Sequence, residues 1–137
     1  KELYYSPQST YMAKFFGECN LFECNVVSIK KDFVTLNSVF GNFKTKNDKN
    51  INVGDNVIFG IRPEEVSLTN EKNEDSLELK VKEINFKGST STLDLFDKNK
   101  DKVIKLQNIS SNISKSLSEG SNVNIEFNKN SGNIFLK

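Results

Sequence analysis

Histidine is absent from the 137 residues, and cysteine occurs only twice, at Cys19 and Cys24. Those gaps exclude a Cys/His zinc centre and a disulfide framework, and they leave no imidazole to polarise a water. Cys19 and Cys24 are expected as buried or half-buried free thiols of a reducing compartment. No apolar run approaches the roughly 20 residues that span a bilayer, and no Gly-x-x-x-x-Gly-Lys-Ser/Thr phosphate loop is present. With a net charge of +1, the electrostatic signature of a nucleic-acid binder is missing as well. Arginine is nearly missing too, since Arg62 stands alone among 19 Lys and Arg residues.

What remains, 36% hydrophobic and 27% charged, is the composition of one compact domain or two very small ones. From Asn20 onward the apolar residues alternate in short runs separated by Asn, Asp, Gly and Lys clusters. Strands are expected at 22–30, 33–36, 40–45, 56–61, 77–86, 91–96, 103–107, 122–127 and 133–136. The fold class is therefore all-β, a sandwich or two small antiparallel barrel units, with a short N-terminal helix. Within 77–86 the apolar phase runs Leu77, Leu79, Val81 and then Ile84, Phe86, so a bulge near Lys82-Glu83 must switch the inward parity. Ile109, Ile113 and Leu117 recur at helical spacing, which places one or two helical turns in 110–118.

The most informative stretch is Gly54–Leu68. Val57, Phe59 and Ile61 alternate as one buried strand face, Gly54-Asp55 supplies the preceding turn, and Pro63 ends the pairing because it has no N–H. The lone Arg62 at this corner either answers a need for a planar guanidinium fork or simply covers the strand end and pairs with Glu64 or Glu65. Gly120–Leu136 repeats the pattern, with Val123, Ile125 and Phe127 matching Val57, Phe59 and Ile61, and Ile134 and Leu136 matching Val66 and Leu68. The repeat indicates two related β units in series. The corner Arg62-Pro63-Glu64 has no counterpart in the second copy.

Residues 1–17 differ from the rest. Pro7 with Ser9 or Thr10 opens a helix whose apolar side is Tyr11, Met12, Phe15 and Phe16, and Gly17 ends it. Such a helix packs either on the β units of its own chain or on a neighbouring domain of which it is the tail.

Tyr4-Tyr5-Ser6-Pro7, Tyr11 through Asn20, and Gly54-Asp55-Asn56-Val57 through Gly60-Ile61-Arg62-Pro63-Glu64-Glu65-Val66 resemble the C-terminal part of an ATP-binding-cassette importer ATPase. Within that family the likeness is to the spermidine/putrescine importers. It implies that residues 1–17 are the tail of a nucleotide-binding domain and that 18–137 form a transport-associated (TOBE, oligonucleotide-binding-like) regulatory domain, with sub-units of about 18–70 and 71–137. It also implies a parent subunit that binds ATP and magnesium elsewhere, pairs with a second copy of itself as a homodimer, and couples hydrolysis to import through membrane permease subunits at the cytoplasmic face of the membrane. Neither a phosphate loop nor a Ser-Gly-Gly-Gln-like signature is present, so this chain alone is expected to hydrolyse no ATP and to hold no catalytic, cofactor or metal site.

Arg62, Pro63, Glu64 and Glu65 are the regulatory or interface candidates. From Glu64 to Glu83 the sequence has seven acidic residues against three lysines, and Glu71, Glu74 and Asp75 are candidates for a polyamine site; the alternative is a solvated loop. Two rival readings are an oxyanion sensor using the hydroxyls and N–H groups of Ser89-Thr90-Ser91-Thr92, and a single-stranded nucleic-acid surface. The second would need exposed aromatics in a basic groove, whereas periodicity sends most Phe residues inward, so nucleic acid is not expected as a partner.

Overall fold

A computed structural model describes residues 19–47, 50–97 and 102–136. The helix expected within 1–17 lies outside the described residues. Ten strands form: β1 (Asn20–Ile29), β2 (Phe33–Ser38), β3 (Gly41–Lys46), β4 (Asn56–Ile61), β5 (Val66–Thr69), β6 (Leu77–Lys87), β7 (Thr90–Phe96), β8 (Val103–Ser110), β9 (Asn122–Phe127) and β10 (Asn133–Leu136). A 3-10 turn, Pro63–Glu65, joins β4 to β5, and one helical turn, α1 (Ser111–Ser114), follows β8. The strands make two five-stranded antiparallel sheets, ordered β10-β4-β1-β2-β3 and β5-β9-β6-β7-β8. The all-β, oligonucleotide-binding-like expectation holds.

The two orders are the same pattern written twice, with β1 to β5 answering to β6 to β10. Each unit gives its last strand to the other: β5 pairs with β9, and β10 pairs with β4. Local hydrogen bonds repeat as well. Val26 N–H donates to Asp55 O (2.9 Å) and Gly54 N–H to Val26 O (2.8 Å); Val81 N–H donates to Ser121 O (2.9 Å) and Gly120 N–H to Val81 O (2.8 Å). Gly54 and Gly120 both take positive φ, 96° and 89°, which only glycine adopts without strain. Both bonds sit at a bulge, between Val26 and Ser28 in β1 and between Val81 and Glu83 in β6. The second is the bulge expected near Lys82-Glu83, and it bends the strand so that one ribbon serves a curved sheet.

One apolar core joins the two sheets, from Phe22 and Val57 to Leu106 and Ile125. Three sequence expectations need correction. By strand partner, Leu68 answers to Ile134 (opposite Ile125 and Phe59), so Val66 answers to Gly132 and the matching of Val66 and Leu68 to Ile134 and Leu136 is out by two residues. Phe86, expected inward, is 52% exposed because the β6–β7 ribbon outruns the sheet that covers its root. In α1 it is Ser111 and Ser114 that are buried, while Ile113 is half in solvent, because the single turn is too short for a helical stripe to act.

Candidate functional site

The strand exchange leaves two seams where one sheet meets the other, and the Arg62–Glu65 corner and the Glu74–Asp75 pair fall on them. At the first seam Asn20, paired with Ile61 across β1 and β4, is buried and turns its amide to the free edge of β8. Its Nδ2 donates to the Lys105 carbonyl (2.9 Å), and the Lys105 N–H donates to its Oδ1 (2.8 Å). One side chain thus imitates a peptide unit of a neighbouring strand and satisfies both edge groups.

Arg62 follows directly after Ile61. Its carbonyl accepts from the Glu65 N–H (2.9 Å), its own N–H donates to Glu65 Oε1 (3.2 Å), and Pro63 is buried as the 3-10 turn packs on β8. The chemistry is that of a reciprocal cap: a proline that has no N–H to satisfy, and a carboxylate three residues on that reaches back to an orphan N–H. Glu64 projects outward. Cys19 lies beside the turn, and burial pushes its thiol up to about 12, opposed by the Arg62 guanidinium and reinforced by Glu65. Cys24 is buried and pushed to about 12 by the same desolvation. Both cysteines are free thiols, as expected. Arg62, Pro63, Glu64 and Glu65 therefore form one corner, set against the point where residues 1–18 join.

The second seam is built from the equivalent positions. Glu74 and Asp75 answer to Cys19 and Asn20, Lys44 to Lys105, and residues 128–131 to the Arg62–Glu65 corner. Here β6 pairs with β9 only from Leu77, so the preceding loop peels away. Asn73 organises it: its Oδ1 accepts from the Asp75 N–H (2.8 Å), its N–H donates to Ser76 Oγ (3.0 Å), and its Nδ2 donates to Glu126 Oε2 (3.3 Å). Glu74 pairs with Lys44 at 3.4 Å and Asp75 with Lys129 at 3.5 Å. A cleft of about 370 Å³ is left, lined among others by Phe43, Lys44, Asp75, Glu126 and Lys129.

The structure thus brings Glu74 and Asp75 together with lysines. Glu71 stays exposed, its N–H donating to Thr69 Oγ1 (3.1 Å), and Glu83 lies on the far ribbon opposite Asp94. In the hydroxyl run, Ser91 Oγ donates to the Ile109 carbonyl (3.1 Å) and also contacts Ser114 Oγ, so that hydroxyl is engaged inside the protein. Among the described phenylalanines only Phe86 is exposed. Asn20 and Lys105 escaped the sequence reading, because an asparagine opening a strand gives no local sign of a partner 85 positions away.

A family profile described as the TOBE domain matches residues 59–135. The spermidine/putrescine import ATP-binding protein PotA of Thermotoga maritima is 32% identical over 69 residues, covering 50% of this chain and 19% of its own length. The protein of the same name from Legionella pneumophila is 31% identical over 97 residues, covering 68% of this chain and 27% of its own length. The chain therefore spans about a fifth to a quarter of these curated relatives. Among solved structures, the cytoplasmic molybdate-binding protein ModG, in its molybdate-bound form, superposes with a TM-score of 0.74 over 88% of this chain and 98% of its own, at 12% identity, a likeness of fold alone. With the profile lying over more than half of the residues and the exchanged pair of sheets beneath it, the chain belongs to the TOBE domain family.

Proposed function

We propose that the chain is the C-terminal regulatory and dimer-contact domain of the ATP-binding subunit of an ATP-binding-cassette importer for polyamines. The observation that carries this reading is the 31% identity over 97 residues to a spermidine/putrescine import ATP-binding protein. In this reading residues 1–17 end the nucleotide-binding domain, which holds ATP and magnesium, and 18–137 form the regulatory part. The full subunit pairs with a second copy and with membrane permeases on the cytoplasmic face. Among the described residues no helix is long and apolar enough to cross a membrane.

The Arg62–Glu65 corner is the element that links this domain to the rest of the subunit. It is rigid, because Pro63 is buried and Glu65 closes the cap, and it stands beside Cys19, where the preceding segment joins. A regulatory domain acts by favouring one arrangement of the dimer, so the corner must make different contacts in the two states. Glu71, Glu74 and Asp75 would serve such a domain as a polyamine-sensing surface.

The test uses the full-length subunit with its permeases in vesicles. Spermidine uptake and ATP turnover are measured for the native protein and for Arg62→Ala with Glu64→Ala. Coupled uptake that changes in the variant while the domain stays folded supports the reading; ATP-dependent uptake of other solutes only, or no effect of the corner, overturns it. The isolated chain should show no ATP turnover. Calorimetry of it with spermidine, molybdate and single-stranded DNA separates polyamine sensing from the oxyanion role that the ModG fold brings to mind.

A further inference from the structure

We propose that the second seam is a binding site for a small zwitterion bearing a primary carboxamide, of which free glutamine and asparagine are the simplest. The internal two-fold repeat sets an occupied strand edge beside an unoccupied one. At the first seam the edge of β8 is occupied by a carboxamide, that of Asn20, which gives one hydrogen bond to the Lys105 carbonyl and takes one from the Lys105 N–H. At the second seam the equivalent edge belongs to Lys44. In the β2–β3 hairpin, Ser38 and Gly41 close the turn, and the Thr35–Lys44 pair falls at the alternation where N–H and C=O face away from the partner strand. Neither of these Lys44 backbone groups takes a further partner among the described residues, since the position answering to Asn20 is Asp75, on the loop that has peeled away toward Lys129.

The surroundings narrow the ligand. Two residues further on, the Lys46 N–H already donates to the Lys129 carbonyl (3.0 Å), which closes the edge on that side and leaves Lys44, the β3 edge residue that lines the cleft, with one donor and one acceptor, a pair that matches a single amide. Asp75 and Glu126, which hold Lys129 (3.5 Å) and the Asn73 amide (3.3 Å), would exchange those partners for an ammonium, and Lys129 would exchange Asp75 for a carboxylate, in a cleft of about 370 Å³. A ligand carboxylate in place of the amide could accept from the Lys44 N–H but would face the Lys44 carbonyl with no proton to give. Selection of glutamine over glutamate follows from that mismatch.

The experiment is a ¹⁵N-resolved NMR titration of the folded chain with glutamine, with glutamate as the isosteric control. Glutamine should shift the Lys44 amide resonance saturably and leave Lys105, whose edge Asn20 fills, in place. Lys44→Pro removes the outward N–H without touching a ladder bond and should abolish the response, with an unchanged Lys105 amide reporting an intact fold. Lys129→Ala, which leaves the edge alone, should weaken binding by about 2- to 5-fold, the range of an exposed ion pair. This second variant decides the matter if the proline variant fails to fold. No saturable shift at Lys44, an equal response to glutamate, an equal shift at Lys105, or full binding in both variants overturns the proposal.

Discussion

The two halves of the internal repeat fill equivalent space with different side chains. In the first, Phe22, Phe43 and Phe59 pack with Phe127, Phe43 lying 4.8 Å from Phe127 and 4.9 Å from Phe59 between ring centroids. In the second, the positions of Phe22, Phe43 and Phe59 hold Leu77, Ile104 and Ile125, all buried. The exchanged strands compensate for the difference. Beside Phe59 the chain has Gly132, where an added Cβ would stand 2.1 Å from the ring, while the equivalent position beside Ile125 holds the buried Val66. Phe with Gly on one side and Ile with Val on the other occupy similar volume, so close packing is met by trading bulk across a contact. The comparison teaches that a repeated backbone keeps volume at a contact and leaves residue identity free.

The largest effect that would break this comparison is expected from Phe59→Ala, which opens a cavity and should lower unfolding free energy by about 3–5 kcal/mol in urea titrations. Gly132→Val overfills the same contact and should cost about 1–3 kcal/mol. The double variant Phe59→Ile with Gly132→Val copies the second half into the first. Its loss should be smaller than the sum of the losses of Phe59→Ile and Gly132→Val measured singly, with coupling of about 0.5–3 kcal/mol, and strict additivity would show that the trade is not real.

The seams differ in the same instructive way. Asn20→Ala strips the β8 edge of its amide and should cost about 1–2 kcal/mol, because the Lys105 N–H and carbonyl lose both partners. Asp75→Ala at the equivalent place removes only an ion pair with the half-exposed Lys129 and should cost less than about 1 kcal/mol. Equal losses in paired denaturation curves would mean that the second seam is as closed as the first.

The smallest effect separates the cysteines from their surroundings. Both thiols are raised from 9.0 to about 12, so folding holds them protonated. Stability is full below pH 9 and falls as pH climbs from 9 toward 12, where the unfolded thiols ionise first. At pH 8 iodoacetamide should label the native chain far more slowly than the chain in urea. Rapid labelling of Cys19 without unfolding would show that its burial beside Arg62 is not maintained.

Much of the fold was legible because β structure with one buried face alternates with period two. That periodicity placed β1 to β4 and β6 to β10 within a few residues, and the parity break after Val81 located the bulge. The limits of legibility are equally specific. The strand expected at 103–107 runs on to Ser110 because Asn108, at φ 63°, takes up a bulge that no apolar period marks. The corner at Arg62 was visible as a proline stop with an unusual cation. Its reciprocal cap with Glu65 and its place beside Cys19 were not, because they depend on where β1 enters.

By itself the sequence determined the all-β class, the bulged strand, the paired turns at Gly54 and Gly120 and the existence of a repeat, all of which are local in the chain and follow from alternation and glycine geometry. Only the tertiary structure decided that β5 and β10 change places, that Asn20 closes one seam and that the loop before Leu77 leaves the other open. A strand carries the same alternation whichever edge it joins. Its partner is chosen by the volume left beside Phe59 and Ile125 and by which edge groups still lack hydrogen bonds, and those quantities exist only once the chain has folded.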